Sequence, residues 1–119
     1  LVRVFSSTGD LAFLAVHTKS RSDEESQSIR KAVLRDIAVL AGEFRGKDIP
    51  FIVAGDMNTM GNGLDMTGLD EIREMESIMC GHPSDLALVA KDHIHTWKGI
   101  DDDAKWGVCD LDHVIDSRD

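Results

Sequence analysis

Apolar positions along this chain recur with two different periods. Residues 2–5 and 11–16 form nearly unbroken apolar runs of strand length, separated by the turn-rich Ser6-Ser7-Thr8-Gly9-Asp10. Two such runs across a short connection predict an antiparallel hairpin. The second run is apolar almost throughout, as in a strand covered on both faces, and His17-Thr18 closes it. From Ile29 the spacing lengthens: Ile29, Val33, Ile37, Leu40 and Phe44 recur every three or four residues. That is the stripe of an amphipathic helix, which puts Arg30, Lys31, Arg35, Asp36 and Glu43 on its exposed side. Ser22-x-x-Glu25 has the capping-box pattern, Asp23 and Glu24 suit a helix N-terminus, and Gly46 ends the helix.

Pro50 then precedes an apolar strand over 51–54, and 55–68 is rich in glycine and polar residues, a loop. Apolar residues at 69, 72, 75 and 79 predict a second helix over 69–79. Pro83-Ser84-Asp85 starts a short helical turn through Val89. Residues 93–97 read as a strand, 99–107 as an acidic loop and 108–115 as the last strand. The order strand, strand, helix, strand, helix, strand, strand implies an α/β fold, a mixed β-sheet with flanking helices. Helices on one face leave the other bare, so the apolar strands call for a further cover.

The length of 119 residues suits one modest domain. No apolar stretch approaches a membrane-spanning length, and no signal-peptide pattern opens the chain. The chain begins at Leu1 and closes on Ser117-Arg118-Asp119, which reads as an internal piece of a longer protein. A formal net charge of −9 argues against a basic surface that holds nucleic acid by counterion release. It leaves a phosphate substrate open, because a bound divalent cation inverts the local field. Cys80 and Cys109 make no disulfide framework and read as separate thiols in a reducing, cytoplasmic setting.

Candidate chemistry gathers where the third strand ends, at Gly55-Asp56-Met57-Asn58-Thr59. Were the chain to stay extended through residue 58, Asp56 and Asn58 would project to the same side. A carboxylate can bind a metal or take a proton from water, and an amide can donate to a phosphate oxygen. The neighbouring patterns fail. An EF-hand loop starting at Asp56 would place Met60 and Thr67 at ligand positions. A phosphate loop over 63–68 lacks its Lys-Ser/Thr, and Gly61-x-Gly63 lacks a third glycine at Met66.

With these landmarks in order, the chain resembles the endonuclease/exonuclease/phosphatase superfamily, the deoxyribonuclease-I-like fold. The matching segments are Leu14-Ala15-Val16-His17-Thr18, Gly55-Asp56-Met57-Asn58 against the family's Gly-Asp-x-Asn, and Leu111-Asp112-His113-Val114-Ile115. His95-Thr96-Trp97 is similar to the segment that precedes the last of these. The resemblance implies the second half of a four-layer α/β/β/α sandwich, residues 1–119 being a partial domain. The first half, with its metal-binding Glu and its Asn, and the closing Ser-Asp-His segment are not in the chain. It implies hydrolysis of a phosphodiester or phosphomonoester with Mg2+ or Mn2+. Asp56 would orient or deprotonate the attacking water and, with Asn58, approach the metal. Asn58 would hold the scissile phosphate, and His17 would bind a phosphate oxygen or move a proton. Asp112 would orient a terminal histidine. Substrates in the family include nucleic acid, nucleotides, phosphoinositides and phospholipid headgroups. The fragment alone is then expected to be inactive.

Plainer readings stand beside these. Asp56 as a turn cap and Asn58 as a residue tolerant of the left-handed conformation need no catalysis. His17 can simply end a strand, and Asp112 can serve a structural hydrogen bond or ion pair. His93 and His95 share a strand face but lack a third zinc ligand. His113 reads as a packing residue, and Met57, Met60 and Met66 as gap fillers. The rival function is a non-catalytic binding or scaffolding module on the same fold.

Overall fold

The structure, a computed structural model, describes residues 2–6, 9–60, 69–80, 86–91, 97–98, 108–109 and 112–117. It is an α/β fold built on a mixed sheet. The strands are β1 (Val2–Ser6), β2 (Gly9–His17), β3 (Phe51–Asp56), β4 (Leu86–Leu88), β5 (Trp97–Lys98), β6 (Val108–Cys109) and β7 (Asp112–Ser117), and the helices are α1 (Glu24–Arg45) and α2 (Leu69–Met79). Five strands pair in the order β1-β2-β3-β7-β4, and β5 pairs separately with β6. β1 and β2 form the expected antiparallel hairpin. β2 and β3 run parallel across the α1 crossover, and β7 is antiparallel to both β3 and β4.

α1 and α2 pack on one face of the sheet. Ala12, Phe51, Val53, Leu86 and Ile115 from the strands meet Leu34, Ile37, Ala41, Met75 and Met79 from the helices in one core. The Phe44 and Phe51 rings stack at 5.3 Å where α1 ends over β3. By alternation Leu11, Phe13, Ala15, Ile52, Ala54 and Val114 line the opposite face. Among the described residues the two faces of β2 differ: Ala12 is sealed under the helices, while Leu11 and Phe13 are half-buried and Ala15 is exposed. Among the described residues no helix is long and apolar enough to cross a membrane.

α1 departs from its predicted stripe. Its cap is Asp23, one residue after the expected Ser22, and the Asp23 carboxylate accepts from the Ser26 backbone N–H and from the Ser26 hydroxyl, each at 2.9 Å. Those bonds, the backbone one foremost, hold the Asp23 carboxyl below its usual range. The buried positions are Ser26, Arg30, Leu34, Ile37 and Ala41, while Ile29 is exposed. The stripe is rotated because a bidentate partner lets Arg30 occupy a core position that a count of apolar residues assigns to Ile29.

Other elements differ too. The segment leading to Val89 is strand at Leu86–Leu88 rather than a helical turn, because its backbone pairs with β7; residues 83–85 lie outside the described residues. The predicted strand over 108–115 is two strands in different sheets. Of the predicted strand over 93–97 only Trp97 is described, so His93 and His95 lie outside, as do the acidic loop over 99–107 and Met66. Cys80 is a free thiol.

Candidate functional site

Parallel pairing brings the C-terminal ends of β2 and β3 together, and antiparallel pairing sets the N-terminal end of β7 beside them. The register aligns His17 with Asp56 and Asp56 with Asp112, one row across three adjacent strands. Cross-strand partners share a face, and this row is on the helix-free face. His17 Nε2 lies 3.9 Å from Asp56 Oδ2, with the side chains 77 % and 34 % exposed. That separation is too long for a hydrogen bond. The Asp112 carboxylate completes the row from β7, and Asp112 is exposed.

The end of β3 has a steric reason for its glycine. Gly55 has φ +141°, and a Cβ there would fall 2.1 Å from the Val16 carbonyl oxygen. Only glycine lets β3 approach β2 this closely at the site. The strand then stops at Asp56, and Asn58 takes φ +48°. Asp56 and Asn58 therefore do not project together, contrary to the extended-chain expectation. The Asn58 backbone N–H instead donates to Asp56 Oδ1 at 2.9 Å, closing a turn that leaves Oδ2 facing His17. Asn58 itself is 3 % exposed, and its Nδ2 donates to the Thr18 carbonyl at 3.1 Å. In this conformation Asn58 is a brace beneath the site rather than a donor held out to a phosphate or an oxygen ligand held out to a metal.

Thr18 is the counterpart of that brace. Its N–H donates to the Asp56 carbonyl at 2.9 Å and its hydroxyl to the Met57 carbonyl at 2.6 Å. With the Asn58 contact these bonds zip the exit of β2 to the turn after β3. One residue further, the Thr59 hydroxyl meets His113 Nε2 at 2.8 Å. His113, 2 % exposed, faces the helices, one residue from Asp112 on the open face. Lys91 Nζ donates to the Asp112 carbonyl at 2.7 Å and lies 3.4 Å from His113 Nδ1, which puts a cation at the edge of the row. A shallow depression of about 460 Å³ lies at the same end of the sheet, lined by Arg21, Ser22, Asp23 and Met60. Met57 is buried in the core, as a gap filler should be.

Of the predicted site residues, the fold brings His17, Asp56 and Asp112 into one row and sets Asn58 underneath. Sequence reasoning passed over Thr18, Thr59, Lys91 and the Arg30–Glu71 pair. Thr18 and Thr59 directly follow motif residues, which is a usable signal; Lys91 and Arg30 have none. Among the described residues no group of three His, Cys, Asp or Glu side chains gathers closely enough to hold a metal ion. Asp56 and Asp112 are hard oxygen donors, and Mg2+ needs only one or two protein carboxylates besides water and substrate phosphate. They suit such an ion as part of its ligand set. The chain matches no protein-family model, no curated protein and no solved structure.

Proposed function

We propose that this chain is the second half of a divalent-metal-dependent phosphoester hydrolase of the endonuclease/exonuclease/phosphatase superfamily. The observation that carries the reading is the row His17–Asp56–Asp112 at the ends of three neighbouring strands. The three residues lie far apart in the chain, and strand register aligns them in one row across the end of the sheet. The apolar helix-free face, with Val114 40 % exposed, supports a second sheet packing there in a four-layer sandwich.

In this reading Asp56, held through Oδ1 by the turn, uses Oδ2 to orient the attacking water and take its proton. The water oxygen bonds to phosphorus as the bond to the leaving oxygen breaks. His17 binds a phosphate oxygen from the solvent side, and Asp112 orients a histidine supplied from outside the described chain. Mg2+ or Mn2+, when bound, neutralises phosphate charge and lowers the barrier to attack. Asn58 keeps Asp56 in place. The phosphoester is that of a nucleic acid, a nucleotide, a phosphoinositide or a phospholipid headgroup. The row itself is small, polar and shared by all of these, so loops set the choice.

The test is Asp56→Ala in the full-length protein with Mg2+ and a chromogenic phosphodiester or phosphomonoester. Loss of a positioned general base lowers kcat about 10²-fold or more, while the thermal melt stays cooperative. Retained hydrolysis would remove Asp56 from the mechanism. The sealed Asn58 favours one rival, a binding module that kept the fold without the chemistry. Tight phosphoester binding with no turnover in the full-length protein would establish it.

A further inference from the structure

Arg30 is a core residue outside the row, 1 % exposed. Its Nε and Nη2 meet the Glu71 carboxylate at 2.5 and 2.8 Å, a bidentate pair between α1 and α2. Its Nη1 donates to two main-chain carbonyls, Lys19 at 2.8 Å and Arg21 at 2.7 Å. Both carbonyls belong to the segment that leaves the site after Thr18. Arg21 has φ +96°, a conformation that a non-glycine residue keeps only where its surroundings enforce it. The segment is thus gripped at one end by Arg30 and locked at the other, through Thr18, to the Asp56–Asn58 turn.

Packing two helices does not need this charge. A buried ion pair is commonly matched in stability by apolar side chains of similar volume. What apolar side chains would lose is the grip on the two carbonyls, which a rigid guanidinium fork supplies. We propose that Arg30 is a positioning residue: oriented by Glu71, it fixes residues 19–21 so that Thr18 seats the Asp56–Asn58 turn below His17. The consequence for catalysis rests on the phosphoesterase reading; the consequence for the loop does not.

The experiment is the double variant Arg30→Met/Glu71→Leu in the full-length protein, which keeps an apolar core while deleting both carbonyl contacts. Amide hydrogen exchange is read at Thr18 and Asn58, with Val53 in the centre of β3 as the internal control. Mg2+-dependent hydrolysis of a chromogenic phosphoester is followed alongside. Exchange at Thr18 and Asn58 rises about tenfold or more while Val53 is unchanged. kcat falls about tenfold, from misplacement alone, with KM changed less. Unchanged exchange at Thr18 and Asn58, or an equal rise at Val53, overturns the inference. Should the double variant not fold, Arg30→Lys carries the same readout, because an ammonium keeps the charge but lacks the fork. Absence of hydrolysis in the unmodified protein defeats the phosphoesterase reading, and the exchange comparison still decides the role of Arg30.

Discussion

Around the helix-covered core Arg30, Glu71, Asn58, Thr59 and His113 are each at most 3 % exposed, and each has a hydrogen-bond partner. On the helix-free face His17, Asp56 and Asp112 keep contact with solvent, and His17 and Asp56 approach one another only to 3.9 Å. Among the described residues no buried side-chain nitrogen or oxygen lacks a partner. Burial compels that pairing, since an orphaned polar group costs about 1–3 kcal/mol. Exposure removes the compulsion, because water can satisfy a polar side chain there. The contrast teaches which polar residues hold the site and which the site presents.

Removing a partner inside the core is the harshest way to test the contrast. Arg30→Ala strands the Glu71 carboxylate in the interior and should cost about 3–5 kcal/mol in urea unfolding; a loss below 1 kcal/mol would mean that water reaches the pair. Next comes Asn58→Ala, which deletes the bond to Thr18 and puts alanine at a positive φ. About 1–3 kcal/mol is expected, again from urea midpoints. On the open face His17→Ala should change stability by less than about 0.5 kcal/mol, because exposed pairs contribute little, while, on the proposed phosphoesterase reading, Mg2+-dependent hydrolysis falls. If both stayed at their unmodified values, His17 would be no more than a strand end.

The smallest effect is at the N-terminus of α1. The Asp23 carboxyl is lowered in the folded protein, so its contribution is complete above the ordinary value of 3.8 and disappears as pH falls through the lowered one. Asp23→Asn should therefore differ from the unmodified protein near neutral pH and converge with it in acid. A gap that persists at low pH would trace the cap to something other than the carboxylate's charge.

Much of the scaffold is legible in the sequence. α2 spans 69–79 as its spacing predicts, Gly46 ends α1, and the hairpin and the strand before Asp56 are where apolar runs place them. Local signals suffice there, because periodicity and turn chemistry act over a few residues. The buried place of Arg30 is not legible locally, because its partner is 41 residues away in sequence. β4 is illegible for a similar reason: a three-residue strand has too little pattern of its own and is made by pairing with β7. The site divides likewise. Asp56 and His17 are visible as the ends of apolar strands, whereas the inward turn of Asn58 follows from a single left-handed residue.

Sequence alone determined the kinds of residue that end β2 and β3, the need for glycine at position 55 being readable as a pattern but not as a distance. It also marked both helices as amphipathic through side-chain spacing, though in α1 the buried face is rotated from the apolar stripe. Tertiary structure decided the rest: that residues 17, 56 and 112 align, that Asn58 braces the site from within, and that a guanidinium belongs in the core. Strand register and long-range hydrogen bonds join residues far apart in the chain, and no local pattern encodes which of them will meet.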